Sequence, residues 1–255
     1  MKKDLFIPAS QNALMHLINI KVSQGYRYHQ AGEIPITKAV ALAEKFDTKF
    51  EWSAGRVRRQ LFKRKGLANT FLYFYKTKKL DTLCWFLLAT EGDLPESEKA
   101  SFKDQFHHKQ SIYFDNRYRL EHFQRENFCG GGRRYTWMIA PKRLQEFEAH
   151  ILELCGQPNA KGVKELIGLF EAFEKMPLSH GITHNLHQLR QLAMKNWRLN
   201  VEFPIPKIDR NYNDFSTKLY GEPPLTLVRL VEDSLRKISE LSIGPANIPE
   251  LVLDH

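Results

Sequence analysis

Apolar residues recur every three or four positions in the first third of the chain, and this spacing predicts three helices. The first runs over residues 10–23 and stops at Gly25, a residue typical of helix C-termini. The second follows Pro35, which is tolerated at a helix start, and its apolar face runs over residues 36–46. The third is expected over residues 53–66.

The third helix carries the most distinctive pattern. Ser53 is a suitable N-cap and Gly66 supplies the end. The spacing predicts that its inner face consists of Ala54, Val57 and Leu61. The remaining faces are basic, and they carry Arg56, Arg58, Arg59, Lys63, Arg64 and Lys65.

After Gly66 the pattern changes from helical to extended. Residues 69–75 and 82–90 are rich in aromatic and β-branched side chains, and they predict a β-hairpin. Its tip is basic and includes Lys76, Lys78 and Lys79. A short strand is also expected over residues 26–29, and further strands over 112–114, 118–125 and 135–139, the last two joined through Gly130, Gly131 and Gly132.

The second half of the chain is predicted to be mainly helical. Helices are expected over residues 141–154, 163–175 and 180–199, and a last one over 225–241 after a proline-rich linker at 203–224. The fold class is therefore α+β. The predicted organisation is a basic region at 1–90, a hairpin and helical region at 91–200, and the linker with its helix at 201–255.

The order of elements over residues 10–90 is helix, strand, helix, basic helix and basic-tipped hairpin. This is the order of a winged helix, in which the third helix enters a DNA groove and the hairpin touches the backbone. About six residues separate the second and third helices, which is longer than the usual tight turn. The sequence thus predicts a winged-helix-like N-terminal region.

Charge is distributed unevenly along the 255 residues, whose formal net charge is +9. The first 80 residues hold 16 Lys and Arg against 5 Asp and Glu, whereas the other 175 hold 22 against 24. A concentrated positive charge indicates a polyanionic partner, and we expect nucleic acid, with DNA ahead of RNA. A membrane surface would require a basic amphipathic helix with exposed apolar anchors.

Several protein classes are excluded by composition. The longest apolar run, residues 83–89, is far shorter than the roughly 20 residues of a membrane span, and the N-terminus has no signal-peptide pattern. Three widely spaced cysteines fit neither a disulfide framework nor a zinc site. We therefore expect a cytoplasmic protein without a membrane partner.

The candidate nucleic-acid contacts follow from these patterns. Arg56, Arg59 and Lys63 lie at i, i+3 and i+7, which places them on one helical face for phosphates or guanine edges. The hairpin lysines would lie at the wing, and Arg133 and Arg134 after the glycine run would add a phosphate contact. The alternative is an ordinary solvent-exposed surface.

Two other groups of residues have open interpretations. Phe71, Tyr73 and Tyr75 share one face of a strand, which suits either base stacking or, more simply, core packing. His180, His184 and His187 share one helix face, which suits a nucleic-acid or partner contact, or plain surface, better than a metal, because no nearby acid or cysteine completes a site. No metal and no cofactor are expected.

The sequence shows no catalytic motif, and its acidic residues are scattered along the chain. We therefore expect a non-catalytic binding protein. The alternatives are a metal-independent nuclease that uses His and Arg, and a subunit of a larger nucleoprotein assembly that contacts protein through its C-terminal helices.

Five short blocks of the sequence are residues 25–28 (GYRY), 36–39 (ITKA), 64–69 (RKGLAN), 85–92 (WFLLATEG) and 135–137 (YTW). These blocks resemble those of uncharacterised accessory proteins of plasmids and integrative conjugative elements. The resemblance covers about residues 10–200 and implies a mobile-element setting and nothing about catalysis.

Overall fold

The computed structural model describes residues 6–77, 81–95, 100–123, 134–156, 160–200 and 225–226. Within these ranges the protein is α+β with antiparallel sheets, as the sequence predicts. The helices are α1 (Gln11–Ser23), α2 (Ala39–Phe50), α3 (Arg56–Arg64), α4 (Pro141–Gly156), α5 (Ala160–Glu174) and α6 (His180–Asn200), with short 3-10 turns at Ile36–Lys38 and His108–Gln110.

The strands form a four-stranded sheet, a three-stranded sheet and a two-stranded pair. The four-stranded sheet has the order β3-β4-β2-β5, the three-stranded sheet the order β6-β7-β8, and β1 pairs with β9. Their bounds are β1 (Phe6–Ile7), β2 (Tyr28–Pro35), β3 (Thr70–Lys76), β4 (Thr82–Ala89), β5 (Lys103–Asp104), β6 (Tyr113–Phe114), β7 (Tyr118–Phe123), β8 (Arg134–Ile139) and β9 (Leu225–Thr226).

Strand β2 is twice as long as its aromatic segment predicts. It pairs with β4 over its whole length, from Tyr28 opposite Ala89 to Pro35 opposite Thr82. Gly32 lies opposite Trp85, and a Cβ at Gly32 would be only 2.9 Å from the indole ring. The indole therefore covers a glycine that would otherwise weaken the strand.

The two faces of the four-stranded sheet belong to different hydrophobic clusters. On one face, α2 packs on alternate residues of β3 and β4, among them Leu72 and Leu87. On the other face, α1 packs with Tyr73 and Leu88. The predicted element order is present, but α1 and α2 cover opposite faces, whereas a winged helix packs its three helices together. Because side chains alternate along a strand, both faces of β3 and β4 are apolar and buried.

The larger cluster continues from α1 into the second half of the chain. Trp137 of β8 donates its indole N–H to the carbonyl of Met15 in α1, at 2.7 Å. Helix α6 is held on β8 by the Asn185 side chain, which accepts from the Ile139 backbone N–H at 3.0 Å. Residues on both sides of position 90 thus share one core.

The predicted C-terminal helix at 225–241 is wrong at its start, because Leu225 and Thr226 form a strand. They pair with Ile7 and Phe6, so β9 is the antiparallel partner of β1. The rest of that predicted helix, and the linker at 203–224, lie outside the described residues. Among the helices that are described, none is long and apolar enough to cross a bilayer.

Candidate nucleic-acid interface

The N-cap of α3 lies two residues later than predicted, at Gly55 instead of Ser53. Helix α2 ends at Phe50, and its C-cap residue Glu51 has a left-handed φ of 47°. Ser53 hydrogen-bonds to a residue of α2 and does not cap α3. The Ser53 hydroxyl donates to Asp47 at 2.8 Å, and its backbone N–H donates to the same carboxylate at 3.0 Å. Gly55 is the N-cap of α3, so the prediction of Ser53 as the cap is wrong.

The orientation of α3 also differs from the prediction. Val57 is 81% exposed and Leu61 is 37% exposed, whereas Phe62 is only 7% exposed. Ala54 precedes the helix and is half-buried. The helix has a single large aromatic side chain, and burying it removes more apolar surface than burying Val57 would. The predicted inner face is therefore wrong, and Val57 and Leu61 lie on the outside.

Two of the predicted contact arginines are held by the protein itself. Arg58 forms a two-pronged ion pair with Glu51, with both N–O distances at 2.9 Å, and its guanidinium lowers the pKa of the Glu51 carboxyl. Arg59 donates to the carbonyl of Trp52 at 2.8 Å and lies 5.0 Å from the centre of the Phe71 ring. Arg59 thus anchors α3 to the sheet.

The other basic residues of α3 project into solvent. Arg56, Lys63, Arg64 and Lys65 are exposed, and the described part of the chain provides no acidic partner for any of them. They occupy the outer side of the helix and its last turn. This separation into anchored and free cations could not be read from the spacing alone.

An open depression lies along one side of α3. It has a volume of about 530 Å³ and brings together the three residues that the sequence placed on one face, Arg56, Arg59 and Lys63. Its wall is completed by Ala54, Gln60 and Asn69. The side-chain oxygen of Asn69 is buried there without a hydrogen-bond partner in the described structure. Three cationic side chains and no carboxylate line the depression, which therefore carries uncompensated positive charge.

Lys21 contacts the same Phe71 ring as Arg59, which the sequence does not predict. Its ammonium group lies 4.2 Å from the ring centre of Phe71 and 5.2 Å from that of Tyr26. Burial, and then the charge of Arg59, lower the pKa of Lys21. Across the described residues, neither Lys21 nor Arg59 has a carboxylate within ion-pair distance. A basic residue in the last turn of an ordinary helix gives no sequence signal of this contact.

Lys76, the hairpin lysine that the structure describes, lies away from the middle of α3. Lys76 ends β3 and is half-buried, five residues beyond the Phe71 ring that Arg59 contacts. At about 3.3 Å per residue this corresponds to roughly 17 Å along the strand. Lys78, Lys79 and Arg133 lie outside the described residues, and Arg134 is described only as the first residue of β8.

The aromatic face of β3 belongs to the core. Tyr73 is buried, and burial raises its pKa, while Phe71 and Tyr75 pack half-buried against the larger cluster. Phe71 and Tyr73 contact each other with ring centres 4.8 Å apart. Core packing, the simpler of the two sequence interpretations, is confirmed for these residues.

The three histidines of α6 lie on its exposed side, opposite its buried apolar stripe, as the spacing predicts. His187 shares a hydrogen bond with the side chain of Gln191 at 2.9 Å. Within the described ranges, no group of three or more His, Cys, Asp or Glu side chains is placed to hold a metal ion.

Comparisons of the chain with protein-family models, with curated proteins and with solved structures found no significant match. The geometry of α3 is thus the strongest guide to function.

Proposed function

We propose that the protein binds nucleic acid, duplex DNA ahead of RNA, through the outer side of α3, as a non-catalytic accessory factor of a mobile genetic element. The mobile-element setting rests on the five short sequence blocks that resemble plasmid and conjugative-element proteins.

The observation that carries the proposal is the set of free cations on α3. Arg56, Lys63, Arg64 and Lys65 share a nine-residue helix and its C-cap, and the described residues offer them no carboxylate. Like charges this close repel each other, which costs stability unless a polyanion or salt neutralises them. The DNA backbone supplies regularly spaced phosphates that would do so.

The size of α3 also suits a DNA groove. An α-helix with its side chains is about 10–12 Å across, and the B-DNA major groove is about 12 Å wide. The depression beside the helix, which Arg56, Arg59 and Lys63 line, would hold a backbone phosphate at the edge of the groove. Direct hydrogen bonds to phosphate fix the position of a protein on DNA.

The test is the salt dependence of DNA binding for the variant Arg56→Gln/Lys63→Gln/Arg64→Gln. Each phosphate that a cation neutralises adds about 0.9 to the slope of log K against log salt, so the slope of the variant should be smaller by up to about 2.7. The matched control is Lys142→Gln/Lys164→Gln/Lys175→Gln, which removes the same charge from exposed sites on α4, on α5 and just beyond α5.

The control variant should keep the wild-type slope. Equal reductions in the two variants would mean that net charge alone attracts DNA, and an unchanged slope in the α3 variant would remove α3 from the interface. Gel electrophoresis of the DNA after incubation with the protein shows whether any DNA has been shortened. A protein that only binds DNA produces no shorter fragments.

A further inference from the structure

The outer side of α3 combines cations with exposed aliphatic side chains. Val57 is the most exposed of the large apolar residues that are described, at 81%, and Leu61 lies one turn later on the same side. Between and beside them are Arg56, Gln60 and Arg64. A helix of nine residues therefore presents a mixed apolar and polar ridge to solvent.

Folding does not explain Val57. Its side chain gains almost no burial, and a β-branched residue has a lower helix propensity than Ala, Lys or Gln would have at this position. The aromatic contacts of the nearby Arg58 and Arg59, with the rings of Phe62 and Phe71, lie on the inner side of the helix. An exposed aliphatic residue flanked by free cations indicates a ligand that offers both negative charge and an apolar group.

We propose that Val57 reads the C5-methyl group of thymine in the major groove of duplex DNA. This inference rests on the proposed function and names the feature of the DNA that α3 recognises. The thymine methyl is the only apolar group that a base pair presents in the major groove. Val57 occupies the first turn of α3, and recognition helices contact base edges with their N-terminal residues.

Duplex DNA fits these residues better than the other polyanions. The A-form major groove of RNA is too deep and narrow for a helix, and uracil has no methyl group. A helix that lies on a membrane needs a broad apolar face, whereas α3 exposes two aliphatic residues among five exposed basic ones. Arg56 and Arg64 on the same ridge suit guanine or phosphate, and Gln60 suits adenine.

The experiment compares one DNA duplex in two chemical forms. The full-length protein first selects 24-base-pair duplexes from a random pool, and one selected duplex is then synthesised with thymine or with deoxyuridine at every thymine position. The A·U pairs keep the hydrogen bonds and lack only the methyl groups. The wild-type protein should bind the deoxyuridine form about fourfold more weakly for each thymine methyl that Val57 touches.

The variant Val57→Ser should bind both forms with the same affinity, because it has no apolar group to place against the methyl. Since Val57 is almost fully exposed, the variant should keep the wild-type melting temperature. The matched control is Leu152→Ser, which removes an exposed aliphatic side chain from α4 and should keep the wild-type preference for thymine.

Five outcomes would overturn the inference. If no duplex is selected or bound, the proposed function fails together with it. If wild type binds both forms equally, or if Val57→Ser keeps the thymine preference, Val57 does not read the methyl although DNA binding stands. Equal binding to duplex RNA of the same sequence, or cosedimentation with phosphatidylserine vesicles that requires Val57, would assign the ridge to another partner.

Discussion

Gly181, the second residue of α6, lies where the helix approaches β8 most closely. A Cβ at this position would be 2.5 Å from the carbonyl oxygen of Trp137 and closer still to the sulfur of Met138. The Gly181 backbone N–H also donates to Thr136 at 2.9 Å, which holds the helix at this distance. Any side chain would therefore separate α6 from the sheet.

We predict that Gly181→Ala lowers the free energy of unfolding by about 3 kcal/mol, the upper range for overpacking. Urea denaturation measures this change. The control is Gly168→Ala in α5, where a Cβ would meet no atom within 4 Å. That variant should gain about 0.5–1 kcal/mol because alanine restricts the unfolded chain. Equal effects of the two substitutions would contradict the close approach of α6 to β8.

His29 is a buried imidazole on the α1 side of the four-stranded sheet. It is 4% exposed, and its Nδ1 has no hydrogen-bond partner among the described residues. Burial, and then the charge of Lys103, lower its pKa from 6.5 to about 4, while Asp104 acts in the opposite direction. The folded protein therefore keeps this imidazole neutral at a pH where the unfolded chain binds a proton.

The consequence is a loss of stability on acidification. The contribution of His29 is complete above pH 6.5 and is lost as the pH falls from 6.5 toward 4, which amounts to about 2 kcal/mol by pH 5. His29→Leu should be less sensitive than wild type between pH 7 and pH 5, as measured by urea denaturation at each pH. His184→Gln, on the exposed side of α6, controls for the removal of an imidazole. Parallel profiles of His29→Leu and wild type would contradict the prediction.

Among the elements, α3 is attached to the rest of the molecule by few contacts. Phe62 is its one buried residue, and Arg59 reaches the Trp52 carbonyl and the Phe71 ring. Arg56, one turn earlier, makes no hydrogen bond or ion pair within the described structure. Arg59 and Arg56 therefore contribute differently to the stability of the protein.

We expect Arg59→Gln to lower the free energy of unfolding by roughly 1.5 kcal/mol, the low end for a hydrogen bond made by a charged group. Arg56→Gln should leave stability within about 0.5 kcal/mol of wild type. Thermal unfolding at fixed salt compares the two. If Arg56→Gln were the more destabilising variant, the assignment of anchored and free cations would be reversed.

At the scale of the whole molecule, segments far apart in sequence share one structure. Strands β1 and β9 bring residues near the two ends of the described chain together, with Ile7 opposite Leu225. Ile7 is 3% exposed and belongs to the cluster between α2 and the sheet. The β9 strand thus covers an edge next to the core.

Two truncated chains test this contribution. A chain that ends at residue 228 keeps β9, and one that ends at residue 222 lacks it. The shorter chain should melt at a lower temperature than the longer one, by about 2–4 °C for each 1 kcal/mol that the strand contributes. Identical melting temperatures would mean that β9 does not stabilise the core.

Local pattern was sufficient for most helices and for the β3–β4 hairpin. Helix α1 begins one residue after the expected start, where Ser10 accepts the Ala13 backbone N–H at 3.2 Å, and Gly25 follows it with a φ of +96°. Strand β2 was underestimated because its polar residues and Gly32 have low strand propensity. Its pairing with β4 and the cover from Trp85 overcome that propensity.

The sequence by itself determined the α+β class, the approximate positions of most helices and the concentration of positive charge in the first 80 residues, because these depend on neighbours along the chain. Tertiary structure alone decided which side of α3 faces the sheet. In α3 the spacing of Val57 and Leu61 predicts one inner face, whereas burial of Phe62 requires another. The contacts of Arg59 with Trp52 and Phe71 fix the rotation of the helix on the sheet. Those partners lie outside the helix, so no periodicity within it carries the information.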